Sequence, residues 1–140
     1  MLAGLPVFLN QHEGFFSLRY TGSDGPYQGF YQGILIYSTR DGGITWIKHL
    51  PVLKPNTETV HFISRVDWVI ESAISLLITH DGGQTWQEQL LPISPDGGYA
   101  SYFSDPQNGW LIINHVGQRF YHTRDSGETW QAFDPILKAP

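Results

Sequence analysis

The sequence predicts an all-β chain built from three four-stranded antiparallel sheets, and three observations carry that prediction. The pattern Thr-x-Asp-x-Gly-x-Thr-Trp occurs three times in 140 residues. The runs before and after each copy are rich in Val, Ile, Thr and aromatic residues, which suit a pleated, half-buried surface. No window spaces its apolar residues at the 3.6-residue period of a helix. The pattern positions are Thr39, Asp41, Gly43, Thr45 and Trp46; Thr79, Asp81, Gly83, Thr85 and Trp86; and Thr123, Asp125, Gly127, Thr129 and Trp130. Asp41 and Asp81 are 40 positions apart, Asp81 and Asp125 are 44 apart, and a period of this size marks a stacked or radial array of one supersecondary unit.

Each part of the pattern has a physical purpose. The Asp accepts bonds from backbone N–H groups further along a tight turn, and the Gly supplies a positive φ that strains other residues. The flanking Thr hydroxyls tie the two arms together. The Trp opens the next strand and turns a large ring toward a neighbouring sheet, where 150–250 Å² of burial contributes on the order of 4–6 kcal/mol before entropy costs. The three aspartates are therefore read as structural.

Aligning backward from each copy gives four strands, A to D, per repeat. In the first repeat A is Val7 to Leu9, B is Phe15 to Tyr20, C is Ile34 to Ser38 and D is Thr45 to Leu50. In the second, A is Thr59 to Ser64, B is Trp68 to Glu71, C is Ile74 to Thr79 and D is Thr85 to Leu90. In the third, A is Tyr99 to Ser104, B is Trp110 to Asn114, C is Arg119 to Thr123 and D is Thr129 to Phe133. One domain, 1–140, is expected, with units at about 6–50, 57–91 and 98–134, since domains of about 100–150 residues are common. The segments between units, beginning at Leu50-Pro51 and Leu91-Pro92, read as linkers, and the glycines read as turn glycines.

The Thr-x-Asp-x-Gly-x-Thr-Trp copies resemble the Asp-box, or BNR, repeat of sialidases, sortilin-like receptors, xyloglucanases and photosystem II assembly-factor-like proteins. The stretch Phe103 to Trp110 is similar to the A–B hairpin of the photosystem II assembly-factor-like repeats in particular. The resemblance implies a β-propeller with the boxes at C–D turns, away from any catalytic face. Propellers close with about four to eight blades, so three blades imply a half-propeller or a fragment of a larger one. A homodimer closing a six-bladed ring and further blades from a longer chain are both expected solutions.

Bulk properties narrow the function. Lys and Arg number 8 against 13 Asp and Glu, a net charge of −5, which argues against a nucleic-acid binder and its basic stripe. With no cysteine, disulfides and thiolate metal sites are excluded. Met1 to Leu9 is too short for a signal peptide or a membrane span. The compartment is left open, with an extracytoplasmic placement slightly favoured for a piece of a longer precursor. The histidines His12, His49, His61, His80, His115 and His122 lack metal-ligand spacing, and no nucleotide loop or nucleophile elbow is present, so no metal and no cofactor is expected.

The expected function is a non-catalytic binding or assembly module with a protein or glycan partner. The B–C and D–A connections should share the face opposite the boxes, and there Thr21 to Gly33 is a Gly-rich insertion where the other repeats spend two to four residues. Asp24, Tyr27, Gln28 and Tyr31 on it are the candidate ligand contacts, because aromatics beside amides can stack on sugars or grip a peptide. The alternative is a propeller glycoside hydrolase of sialidase or xyloglucanase type, or a fragment of one. It needs two carboxylates about 5–9.5 Å apart, one protonated, for which Asp24, Glu58 and Glu71 are candidates. A complete sialidase is disfavoured: the Phe/Tyr-Arg-Ile-Pro stretch is missing, and Arg40, Arg65 and Arg124 fall on the box side.

Overall fold

The computed structural model of the chain describes residues 2–22, 31–54, 56–57, 59–95, 97–114, 118–136 and 138, with backbone alone at 2, 3 and 31. Its described residues form strands and turns in three antiparallel sheets, without helix. The first contains β1 (Leu2–Ala3), β2 (Val7–Phe8), β3 (Gly14–Gly22), β4 (Tyr31–Thr39), β5 (Ile47–Lys48) and β6 (Val52–Leu53). The second is the meander β7 (Val60–Phe62), β8 (Trp68–Glu71), β9 (Ser75–Thr79) and β10 (Gln87–Leu90). The third is β11 (Tyr99–Phe103), β12 (Gly109–Asn114), β13 (Gln118–Thr123) and β14 (Gln131–Phe133). This is the expected propeller-blade architecture.

Four details differ from the sequence reading. The D strands begin at Ile47, Gln87 and Gln131, two residues later than expected. Thr45, Thr85 and Thr129 give both their backbone N–H and their hydroxyl to the box aspartate, so they belong to the turn. Both ends of the insertion are ladder: β3 and β4 pair continuously from Gly14↔Thr39 to Gly22↔Tyr31. The first linker contains β6, whose Val52 and Leu53 pair with Ile34 and Gly33 on the extended end of β4. Finally, Gly14, Gly33 and Gly109 lie in strands rather than turns.

The three box turns are nearly superimposable in their bonding. Thr39, Thr79 and Thr123 each donate a hydroxyl bond of 2.7 Å to Oδ1 of the aspartate two residues on. The same hydroxyl oxygens accept the N–H of Gly43, Gly83 and Gly127 at 2.9–3.0 Å. Those glycines have φ of 92°, 84° and 89°, the region where a Cβ is costly. Ser126, at φ 64°, takes a position held by Gly42 and Gly82 in the other copies. Each box also caps the A–B turn of its own sheet, with Gly42 N–H donating to His12 O, Gly82 N–H to Val66 O and Ser126 N–H to Gln107 O.

These donors hold the box carboxylates ionised. The Thr45 hydroxyl bond, then its N–H, pull Asp41 down to about 2 from an ordinary 3.8, and Thr85 does the same to Asp81. A carboxyl whose folded value is depressed contributes stability above its ordinary value and loses it as pH falls through the folded one. Unfolding stability should therefore decline from about pH 4 to about pH 2. The Asp81→Asn variant should show a shallower decline over that window in chemical denaturation at stepped pH; an unchanged slope would refute the assignment.

The sheets stack face to face through two cores. Phe15, Ile34 and Ile36 of the first sheet meet Phe62, Trp68, Ile70 and Leu77 of the second, with Val52, Val60 and Trp86 packed against them. On the other side Val69, Leu76 and Ile78 meet Phe103, Leu111, Ile113 and Tyr121 of the third, joined by Leu91 and by Trp130. Alternate residues of β8 and β9 point to opposite cores, and every residue of both strands is buried. The box tryptophans Trp86 and Trp130, each one residue before its D strand, thus pack toward the preceding sheet.

Candidate functional site: a cleft on the box side

A cleft of about 270 Å³ opens between the first and second sheets, on the side where the boxes lie. Its walls are the turns that the sequence pattern builds. The β2–β3 turn supplies Glu13, the first box supplies Thr39 and Arg40, the β7–β8 turn supplies Arg65 and Val66, and the second box supplies Asp81, Gly82 and Gln84. Phe15, Trp68, Ser38 and His49 form the floor.

The charges of this cleft are arranged unequally. Arg65 is ion-paired with Glu13 across the two sheets. Glu13 is held below the usual carboxylate range by the Asn10 side-chain amide and by Arg65. Asp81 commits both oxygens to its own box. The guanidinium of Arg40 lies at the mouth with no hydrogen-bond or ion-pair partner among the described residues, though near enough to Glu13 to stabilise its carboxylate. His49 sits deeper, its Nε2 2.9 Å from Ser38 Oγ and its ring edge-on to Trp68 at 5.2 Å. Burial, reinforced by the nearby Arg40 charge, pushes its pKa down, so the imidazole is neutral at pH 7. The lining thus combines two guanidinium groups, Arg40 and Arg65, with two carboxylates, Glu13 and Asp81, neutral hydrogen-bonding groups and an aromatic floor, and of these charges Arg40 is the one not engaged in a bond among the described residues. It suits an anionic or polar group on an apolar stem.

None of the ligand or catalytic candidates singled out from sequence is among the described residues that line the cleft. Asp24, Tyr27 and Gln28 fall outside the described residues, as does Glu58, and of Tyr31 only the strand backbone is described. Glu71 ends β8 and is buried between the second and third sheets. Its Oε1 accepts the Ser101 hydroxyl at 2.6 Å and the Ser101 N–H at 2.8 Å, and lies 3.2 Å from His61 Nε2. Burial pushes this carboxyl up, but the bonds from His61 and Ser101 together outweigh it and the net direction is down. A group so held is ionised, the opposite of a general acid. Nor do Ser101, His61 and Glu71 form a nucleophilic relay, because the Ser101 hydroxyl points its proton at the carboxylate rather than at the imidazole. Among the described residues, no three His, Asp or Glu side chains gather as metal ligands.

Sequence reasoning missed the cleft because it set the box side apart as purely structural. The available signal was Arg40 and Arg65 in adjacent turns of neighbouring repeats.

The comparisons with known proteins point one way. The family model of the photosynthesis system II assembly factor YCF48 matches residues 21–137. A solved structure described as YCF48 bound to D1 peptide is similar at 28% identity with a TM-score of 0.54, over 89% of this chain and 38% of that one. This chain therefore spans well under half the length of that neighbour. Comparison with curated proteins gives no match. No described helix is long and apolar enough to cross a membrane. With blade-like sheets, three boxes and a family match over most of its length, the chain belongs to the photosystem II assembly factor YCF48 family.

Proposed function

We propose that this chain is a non-catalytic propeller module that holds a peptide segment of a protein partner, and that the cleft between the first two sheets receives a carboxylate or similarly polar group of that segment. The observation that supports it is the unpaired Arg40 guanidinium above the Trp68 and His49 floor. The similar structure holds a D1 peptide, which makes a peptide the first ligand to try. The segment with Asp24, Tyr27, Gln28 and Tyr31 is a second proposed contact, resting on sequence alone.

The experiment is a fluorescence-anisotropy titration of a labelled D1 peptide into the chain and into its Arg40→Ala variant. Loss of one charge-assisted bond of about 1.5–3 kcal/mol should weaken binding roughly 10- to 150-fold. Adding 0.5 M salt should narrow the difference, because the mouth of the cleft is open to solvent. Equal affinity for both proteins would remove the cleft from the reading. Turnover of a polysaccharide panel would favour the glycosidase alternative instead.

A further inference from the structure

His61 and His80 each have a carboxylate built beside them. His61 Nε2 lies 3.2 Å from Glu71 Oε1, and His80 Nδ1 lies 2.7 Å from Asp67 Oδ1. His49 has a serine in that place: its Nε2 is 2.9 Å from Ser38 Oγ, and its Nδ1 has no hydrogen-bond partner among the described residues. It is half-buried on the floor of the cleft between the first two sheets. Its own N–H donates to Ile36 O at 2.9 Å, and Trp68 stands perpendicular to its ring at 5.2 Å, so backbone and ring plane are both fixed. Ser38 suits either charge state of the ring, because a hydroxyl can donate to a bare nitrogen or accept from an N–H.

The charged groups around His49 come from each turn that walls the cleft. Arg40 belongs to the first box, Glu13 to the β2–β3 turn, Arg65 to the β7–β8 turn and Asp81 to the second box. Neither carboxylate is available to the imidazole. Glu13 is ion-paired with Arg65, and Asp81 gives both oxygens to Thr79 and Thr85 of its own box. Both are held below their ordinary range, Glu13 by Asn10 and then Arg65, Asp81 by Thr85, so neither titrates near neutrality. Burial, and after it the Arg40 charge, disfavour a proton on His49 in the chain alone.

A carboxylate bound at Arg40 changes that balance. It offsets the guanidinium and brings to His49 the negative charge that Glu71 and Asp67 bring to His61 and His80. Its two oxygens have lone pairs enough to accept from both side chains. We infer that His49 is a second contact for the ligand's carboxylate, which it receives as the imidazolium, so that the cleft takes up a proton together with its ligand. The inference rests on the peptide reading of the cleft and adds a preference to it. A carboxylate gains from the coupling, whereas an amide of the same shape does not.

The sign follows from linkage. A group that gains protons on binding makes binding tighter as pH falls, from the higher value of the bound state down to the lower value of the free chain. An opposite charge within about 4–6 Å raises such a group by roughly one unit or more, and each full unit is about tenfold in affinity. Between pH 8 and pH 5.5 the expected tightening is therefore at least about threefold, with the peptide's carboxylates, ordinarily near about 3.9–4.3, ionised throughout.

The test is an anisotropy titration of a labelled, histidine-free D1 peptide between pH 8 and pH 5.5. The parent chain should bind at least about threefold more tightly at the lower pH. His49→Gln, its fold checked by circular dichroism, should bind with an affinity that does not change over this range. So should the parent with a copy of the peptide whose carboxyl groups are amides. Because His49 also packs on Trp68, a second measurement uses the unaltered chain: calorimetric titration at pH 6.5 in two buffers of different ionisation enthalpy, which should show net proton uptake. A parent affinity that is flat with pH, an absence of proton uptake, or a pH dependence that persists in folded His49→Gln or with the amidated peptide overturns the inference. Arg40→Ala in the same series separates the two readings. If it weakens binding at every pH while the parent is flat, the cleft stands and His49 is struck; if it binds as the parent does, both are struck.

Discussion

Replacing Trp68 by alanine is expected to cost about 3–5 kcal/mol in urea unfolding, the range for truncating a buried Trp in a core. Trp68 is 1% exposed and sits at the meeting point of four rings: Phe15 at 5.4 Å, Phe62 at 5.7 Å, His49 at 5.2 Å and Trp86 at 6.4 Å. Its Nε1–H donates to Ser64 O at 3.1 Å, which pins the β7–β8 turn. A domain of this kind has about 5–15 kcal/mol in total, so the variant should lie close to its unfolding threshold at 37 °C.

The first and third sheets suggest a remedy that the second cannot use. They have glycine at the equivalent position and fill the space with Phe8 and Phe103. In the second sheet the corresponding Phe62 is stacked on Phe15 at 5.0 Å, so moving it over a new cavity would open another. Trp68→Phe should accordingly recover part of the loss. If Trp68→Ala costs less than about 1 kcal/mol, the first two sheets are not held together as described.

The same residue explains how far the sequence could be read. The box is legible because its chemistry is local: Thr, Asp, Gly and Thr bond one another within four positions, so the pattern is the structure. Four strands per sheet followed from the boxes and from β-rich runs on either side, while β1 and β6 of the first sheet did not. What escaped was long-range pairing. Glu13 and Arg65 form their ion pair 52 positions apart, and His61, Glu71 and Ser101 converge from two sheets. Gly14 and Gly109 escaped for another reason. A glycine beneath an aromatic ring has the same letter as a turn glycine, and only the register shows that Phe8 and Phe103 lie across from them. Even the D-strand starts were misplaced by a local competition, since a Thr N–H bonded to an aspartate is not free for a ladder.

Glu71 provides the second large expected effect, at the contact between the second and third sheets. Its single oxygen Oε1 receives the backbone N–H and the hydroxyl of Ser101, with His61 Nε2 beside both. Tyr99, two residues before Ser101, places its hydroxyl with its single proton between Ser72 O at 2.8 Å and Ser75 O at 3.0 Å and accepts the Ser72 N–H at 3.1 Å. One edge of the third sheet is therefore attached to the second by polar groups, while the apolar core covers the rest. Glu71→Ala removes the acceptor and leaves a buried N–H and hydroxyl without it, a loss of about 3 kcal/mol. Glu71→Gln keeps a carbonyl for Ser101 but offers an amide rather than a charge to His61, and should lose about 1 kcal/mol. The pH dependence separates a charge effect from a packing effect. Because the folded carboxyl titrates below its ordinary 4.5, its contribution is present above that value and disappears as pH falls through the lower folded value. The stability curves of the parent and Glu71→Gln should therefore be parallel near neutrality and converge in acid. Curves that stay parallel throughout would mean that Glu71 acts by shape alone, and that the bonds to Ser101 and His61 contribute nothing through its charge.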